Sequence, residues 1–137
     1  YAYDHPFLLG SRRLGPDLHR VGGKYPDAWH YEHMRDPRST SPGSVMPPYP
    51  WMLRDRYDVA DIQASLRALR KVGVPYTDAD IDGAPAAIEA QARGIADRLG
   101  AAGITAEPDR DIIALIAYLQ RLGTDGRAAL KAAAATP

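Results

Sequence analysis

The stretch that most constrains the fold runs from Gly43 to Trp51 and reads Gly-Ser-Val-Met-Pro-Pro-Tyr-Pro-Trp. Its three prolines fix φ and remove backbone donors, so the stretch can form neither a helix interior nor a central strand. We therefore predict a stiff, irregular loop. Because the loop is rich in large apolar side chains, we expect them to press against something large and flat. These side chains are Val45, Met46, Tyr49 and Trp51.

Met46 lies at the centre of this loop, directly before two prolines. A thioether held by a rigid segment suits a soft metal or a haem iron. The alternative is that Met46 fills a gap in a hydrophobic core, which is the commoner use of methionine. The loop by itself leaves both interpretations open.

Composition excludes several classes of function. The chain has 137 residues, with 17 basic and 17 acidic side chains, so no net charge favours nucleic acid or an anionic membrane surface. It has no cysteine, which excludes disulfides, thiolate metal sites and a cysteine nucleophile. The length predicts one domain, and no apolar run is long enough to span a membrane. The phosphate-binding glycine loop and the common hydrolase motifs are also missing.

Hydrophobic periodicity and capping signals predict an all-α fold. One short helix is expected from Asp27 to Arg35, and an amphipathic helix from Val59 to Lys71 with Asp58 as its N-cap. A polar, turn-like segment is expected at 38–42. A further short turn is expected from Thr77 to Asp82. Two later helices are predicted to open on prolines, one at Pro85 and one from Pro108 to Leu122, with Ile112, Leu115, Ile116 and Leu119 as the apolar stripe of the second.

Two groups of polar side chains invite a metal interpretation. His30 and His33 are three residues apart on a short helix and can share a face, but a solvated face explains them more simply. Asp78, Asp80 and Asp82 alternate without the glycine and terminal glutamate of a calcium loop. We interpret these aspartates as capping carboxylates of a turn.

The order of several short motifs resembles class I c-type cytochromes. They are Gly15-Pro16-Asp17-Leu18, Tyr25 to Trp29, Pro37, Met46-Pro47, and the helix Ile113 to Leu119. Further pieces narrow the resemblance to the mono-haem subunit of cbb-type cytochrome c oxidase. These pieces are His5-Pro6-Phe7, Gly10 to Arg13, Arg20 to Tyr25, Asp36-Pro37-Arg38, Met46 to Trp51, and Leu69 to Asp80.

The resemblance implies an all-α, class I cytochrome c-like domain over residues 1–124, followed by a flexible, alanine-rich tail over 125–137. Such a domain carries haem c and transfers electrons without catalysing a reaction on its own. It would face the periplasm in a bacterial inner-membrane complex. Its partners would be a di-haem cytochrome subunit, which donates electrons, and the catalytic subunit, which receives them.

The resemblance also assigns roles to individual residues. Met46 matches the axial methionine, and Pro47 follows it as in the family. Gly15, Pro16 and Leu18 match the loop that lies against the haem and hydrogen-bonds the proximal histidine. The remaining assignments are Trp29, Tyr49 and Trp51 as aromatic neighbours of the haem, and Lys24 and Arg38 as neighbours of its propionates.

The chain departs from the family pattern in two ways. It lacks the Cys-x-x-Cys-His segment that attaches the haem, and it lacks the family's membrane anchor. We therefore expect the chain to be the C-terminal portion of such a subunit, without its N-terminal haem-attachment helix. The stripe on the last helix would then be covered by Ile88, Ile95 and Leu99, or by self-association. A second hypothesis is a haem-free interaction or assembly module on the same scaffold.

Overall fold

The computed structural model describes residues 18–124, together with 126 and 128. This part of the chain is helical, as predicted, and its one strand-like feature is an isolated bridge between Arg56 and Arg110. The predicted turn at Gly15 and Pro16 and nearly all of the predicted tail lie outside the described residues. The helices are α1 (Asp27–Arg35), α2 (Pro37–Thr40), a 3-10 helix (Pro50–Leu53), α3 (Val59–Lys71), α4 (Asp78–Ala101) and α5 (Asp111–Arg121).

Two helices have the predicted bounds because their capping signals are local. The carboxylate of Asp58 accepts from the Ala60 N–H at 2.8 Å and starts α3. The Asp36-Pro37 step ends α1, as expected. The prediction of a polar turn at 38–42 is partly wrong, since Asp36 caps the Arg38 N–H at 3.1 Å and Pro37 opens the short helix α2.

Helix α4 begins earlier than the sequence predicted. We expected a turn from Thr77 to Asp82 and a helix opening at Pro85, but the helix starts at Asp78. Thr77 and Asp80 form a reciprocal capping box: the Asp80 N–H donates to Thr77 Oγ1 at 3.1 Å, and the Thr77 N–H donates to Asp80 Oδ2 at 2.8 Å. The Thr77 hydroxyl also donates to Asp80 Oδ2 at 2.7 Å, and this hydrogen bond, together with that from the Thr77 N–H, lowers the pKa of Asp80, so its carboxylate stays ionised in its capping role.

Pro85 is tolerated inside α4 because its missing N–H is replaced by a side chain. In an uninterrupted helix the N–H of residue 85 would donate to the carbonyl of Ile81. Here Gln63 Nε2, on α3, donates to that carbonyl at 3.0 Å. The proline therefore creates an acceptor on α4 that α3 uses for packing.

This arrangement predicts non-additive effects of substitutions at the two positions. Gln63→Ala should cost about 1 kcal/mol of unfolding free energy, because the part-buried Ile81 carbonyl loses its donor. In a Pro85→Ala background, residue 85 has an N–H that can donate to the Ile81 carbonyl. The unfolding free energy lost through Gln63→Ala should therefore fall by about half or more in that background. Urea denaturation of the four proteins measures the coupling. If Gln63→Ala lowers the unfolding free energy equally in both backgrounds, the N–H of residue 85 does not replace the Gln63 side chain as donor.

Helix α5 begins at Asp111 rather than at the predicted Pro108. The residues before it are already engaged with an earlier segment, since the Tyr57 N–H donates to the Asp109 carbonyl at 3.3 Å and the Tyr57 hydroxyl to the Pro108 carbonyl at 3.2 Å. Extended pairing of this kind is incompatible with helical backbone. The helix therefore starts where the pairing ends.

The chain divides into two compact units, of which the larger is Asp27–Ala117. Its core brings together α4 and α5, and Ile112 and Ile116 are each 0% exposed. Their predicted cover by Ile95 and Leu99 is present within this one chain, whereas Ile88 is only half-buried. Burying such a side chain is worth about 1.5–3 kcal/mol. The core residues are Ala92, Ile95, Leu99, Ile112, Ile113 and Ile116.

The other unit contains residues 1–26 and 118–137, and its described part is a loop packed on the end of α5. The Gly22 N–H donates to the Leu122 carbonyl at 3.0 Å, and the Gly23 N–H donates to Gln120 Oε1 at 2.8 Å. Gln120 Nε2 in turn donates to the Tyr25 carbonyl at 2.9 Å. A Cβ on Gly22 would lie 2.4 Å from the Gln120 carbonyl oxygen, so only glycine permits this approach.

Gly22→Ala should therefore destabilise the protein by about 1–3 kcal/mol, the usual range for overpacking against a backbone that cannot yield. The matched control is Gly83→Ala in α4, where an added Cβ meets open space and should stabilise the helix by about 0.5–1 kcal/mol. Urea denaturation followed by circular dichroism compares the two variants. Equal, mild effects would show that the contact at Gly22 is not tight.

Candidate functional site

The Met46 loop, residues 43–51, is irregular through Tyr49 as predicted, whereas Pro50 and Trp51 begin the 3-10 helix, and local hydrogen bonds fix the first half of the loop. The Ser44 N–H donates to the Ser41 carbonyl at 3.0 Å, and the Met46 N–H donates to Ser44 Oγ at 3.2 Å. The Met46 side chain is half-buried. Its thioether is thus held at a defined point without being enclosed in the core.

The second half of the loop is tied to α1 and to the 3-10 helix. The Tyr49 N–H donates to the Met34 carbonyl, near the end of α1, at 2.9 Å. The rings of Tyr49 and Trp51 meet edge to face, with centroids 5.2 Å apart. Pro47 is exposed, and with Pro48 and Pro50 it limits the backbone further. The loop is therefore braced on both sides of Met46.

The apolar side chains of the loop are only partly covered by this chain. Val45 is 88% exposed and Trp51 is 44% exposed, while Tyr49 is half-buried like Met46. Each apolar side chain that remains in contact with water forgoes the favourable free energy of burial. The described residues thus leave an apolar surface beside the Met46 thioether.

The histidines of α1 do not form the solvated face that we favoured from sequence. His30 is 2% exposed, and His33 is half-buried with its Nδ1 at 2.6 Å from Thr40 Oγ1. The Trp29 ring stacks on His33 with centroids 4.5 Å apart and an interplanar angle of 12°. Trp29, expected at the wall of a haem pocket, is therefore engaged with a histidine of its own helix.

Burial controls the charge of these two histidines. It lowers the pKa of His30, an effect that Asp27 opposes and His33 reinforces, and it lowers the pKa of His33 as well. Both rings are consequently neutral at pH 7. Among the described residues there is no group of three or more side chains of the types that bind metal.

An ion pair between a buried aspartate and a largely exposed arginine, which the sequence did not reveal, holds α1 against α4. Asp27 is 7% exposed, and its Oδ2 accepts from Arg98 Nε at 2.7 Å. An aspartate in the first turn of a helix is ordinarily interpreted as a partner of the helix dipole. Its 71-residue separation from Arg98 gave no local signal of the pairing.

The remaining predicted site residues lie in different places. Arg38 is exposed on α2. Leu18, which is 49% exposed, and Lys24, whose Nζ lies 5.3 Å from the centroid of the Tyr25 ring, belong to the smaller unit. Gly15 and Pro16 are outside the described residues. The structure brings together Met46, Pro47, Tyr49 and Trp51 on one loop.

The donor chemistry of this loop fits one axial position of a haem iron. A neutral, polarisable thioether on a braced loop is a ligand type that c-type haem takes, and the neighbouring aromatic rings can lie against a porphyrin. The model of the family described as the mono-heme subunit of cytochrome c oxidase, FixO, matches residues 1–125. The chain belongs to this family. No curated protein matches the chain.

As a member of the FixO family, the chain is related to the mono-haem subunit of an oxidase complex. The chain itself has no cysteine, so it contains no thioether attachment site for the haem. Among the helices of the described residues, none combines the length and the apolar character that crossing a bilayer requires.

The buried histidine predicts a pH dependence of stability. Because the pKa of His30 is lower in the folded state, the unfolded chain binds the proton more readily, and stability should fall as pH drops below about 6.5. His30→Gln should reduce that fall, which for one proton is at most about 1.4 kcal/mol per pH unit. Urea midpoints at pH 7.5 and 5.5 measure it.

The control for replacing a histidine as such is His19→Gln, at an exposed position. A His30→Gln variant that loses stability on acidification as steeply as the wild type would refute the assignment of this effect to His30.

Proposed function

We propose that the chain is the electron-transfer domain of the mono-haem cytochrome subunit of a cbb-type oxidase. The observation that carries the proposal is the Met46 thioether, half-buried on a loop that hydrogen bonds brace on both sides. Membership of the FixO family supports it. In aerobic respiration the domain would relay electrons to the catalytic subunit.

Met46 is the proposed distal ligand, and haem iron, when bound, supplies one-electron redox chemistry. The chain's own part is to hold the thioether in place. The φ-restricting prolines Pro47 and Pro50 lower the number of conformations open to the loop, so little ordering is needed on ligation. Tyr49 and Trp51 would lie beside the haem and limit water access, which raises the reduction potential of an iron centre.

The proposed proximal and peripheral contacts come from the family pattern. Gly15, Pro16 and Leu18 would form the loop that orients the proximal histidine, and Trp29 would border the pocket from α1. Lys24 and Arg38 carry positive charge at exposed positions, which suits the carboxylates of haem propionates.

The proposed partners follow from this role. The domain would receive electrons from the di-haem cytochrome subunit on the periplasmic side and catalyse nothing itself. Val45 and Trp51 expose apolar area next to Met46, and such area is usually covered by a cofactor or a partner protein.

The same exposed area favours a second candidate, a haem-free interaction module that uses the loop for docking. The two functions differ in the visible spectrum of the native protein. An electron-transfer domain shows haem bands that change on reduction, whereas a docking module shows none.

Replacement of the proposed ligand gives the sharpest test. Met46→Ala in the native haem-loaded subunit should lower the reduction potential, because a thioether stabilises ferrous iron relative to the water or stronger donor that replaces it. Val45→Ala is the matched control, since it trims an exposed neighbour on the same loop. Spectroelectrochemical titration measures both variants. An unchanged potential and ligand-field spectrum in Met46→Ala would rule out this ligand.

A further inference from the structure

A short paired segment immediately after the Met46 loop joins it to the start of α5. Arg56 and Arg110 form an antiparallel bridge, in which the Asp111 N–H donates to the Asp55 carbonyl at 3.1 Å and the Tyr57 N–H to the Asp109 carbonyl at 3.3 Å. These are contacts between residues more than fifty positions apart in the chain. They close the segment between Asp55 and Asp111, and the Met46 loop leads into its first residues.

Charged side chains reinforce this pairing. Arg56 Nη1 donates to Asp109 Oδ2 at 2.5 Å, and Arg56 Nη2 donates to Glu107 Oε2 at 2.8 Å. Arg110 donates to the same Glu107 oxygen and, through its other nitrogen, to the Arg54 carbonyl. We call the set Arg56, Glu107, Asp109 and Arg110 the Arg56 clamp.

Two features make the Arg56 clamp sensitive to loss of its central charge. Asp109 Oδ1 is buried and has no hydrogen-bond partner in the part of the chain that the structure describes, so Asp109 depends on Arg56 for compensation. Burial and the carboxylates of Asp109 and Glu89 raise the pKa of Tyr57, which therefore keeps the proton it donates to the Pro108 carbonyl. Removing Arg56 leaves three carboxylates near this pairing with less neutralisation.

The path from the clamp to Met46 contains little flexible backbone. The Asp55 N–H donates to the Trp51 carbonyl in the 3-10 helix at 2.8 Å, while the Asp55 carbonyl accepts from the Asp111 N–H at the start of α5. Asp55 is therefore hydrogen-bonded to both elements. The 3-10 helix starts at Pro50, and Tyr49 before it is bonded to α1. A continuous run of hydrogen-bonded residues thus leads from the bridge back to the residues that follow Met46.

We infer that the Arg56 clamp is a positioning device for Met46, which sets how much of the time the thioether is bound to iron. The inference rests on the proposed function. Arg56 itself touches neither the ligand nor the cofactor site in this account; it acts by holding the end of the loop. Its loss should raise the population in which Met46 is detached.

Imidazole binding to the ferric, haem-loaded native subunit measures that population. Imidazole can occupy the axial position only when Met46 has left, so its apparent affinity rises in proportion to the detached fraction. Arg56→Gln should tighten imidazole binding about three- to tenfold and lower the reduction potential. Arg56→Lys, which keeps the charge but cannot span two carboxylates, should fall between Arg56→Gln and the wild type and remains informative if Arg56→Gln fails to fold.

The matched control is Arg70→Gln, which breaks the 2.5 Å ion pair of Arg70 with Asp78 and involves no residue of the Met46 loop or of the Arg56 clamp. It should leave imidazole affinity within about twofold of the wild type, in keeping with the small contribution of exposed ion pairs. Equal imidazole affinities in Arg56→Gln, Arg56→Lys and Arg70→Gln would overturn the positioning role, whatever happens to the stability of the variants.

Met46→Ala distinguishes a failure of the ligand assignment from a failure of the clamp inference. It should bind imidazole most tightly, and adding Arg56→Gln to it should have no further effect, because no thioether remains to be positioned. If Met46→Ala leaves imidazole affinity unchanged, the ligand assignment is wrong and the clamp inference falls with it. If Met46→Ala tightens binding but Arg56→Gln does not, only the clamp inference is wrong.

Discussion

The Met46 loop depends on one hydrogen bond and one packing contact that anchor it to the same core. The Met34 carbonyl accepts from Tyr49 while the Met34 side chain packs against the isoleucine cluster of α4 and α5. Met52, in the 3-10 helix, packs against that cluster as well. Since interiors are close-packed, neither anchor can shift without a rearrangement of the core. The candidate site is thus held rigid by its attachment to the hydrophobic core.

Sequence patterns predicted those parts of the fold that nearby residues determine. The bounds of α1 and α3 follow from Asp58 and from the Asp36-Pro37 step, and the irregular loop follows from its prolines. All of these signals act within a few residues, so a single sequence contains them in readable form.

The errors arose where distant residues decide the local conformation. Pro85 is compatible with a helix interior only because Gln63 supplies a donor to Ile81, and α5 is delayed to Asp111 because Tyr57 occupies the preceding backbone. The same limit hid the clamp and the burial of His30. In the candidate site, the irregular loop and its thioether were readable from sequence, whereas the contacts of Arg56 with Glu107 and Asp109 were not, because they join residues more than fifty positions apart.

The distribution of polarity around the loop is the reverse of what stability alone would favour. Asp27 and His30 are buried in α1, where their desolvation costs free energy, while Val45 and Trp51 remain in water a short distance along the chain. A sequence selected only for stability would bury the apolar side chains and expose the polar ones. Local violations of this kind concentrate at functional sites, where a cofactor or a partner supplies the missing cover. The proposed function accounts for this pattern at the Met46 loop, because a bound haem or a partner subunit would cover the exposed side chains beside the thioether.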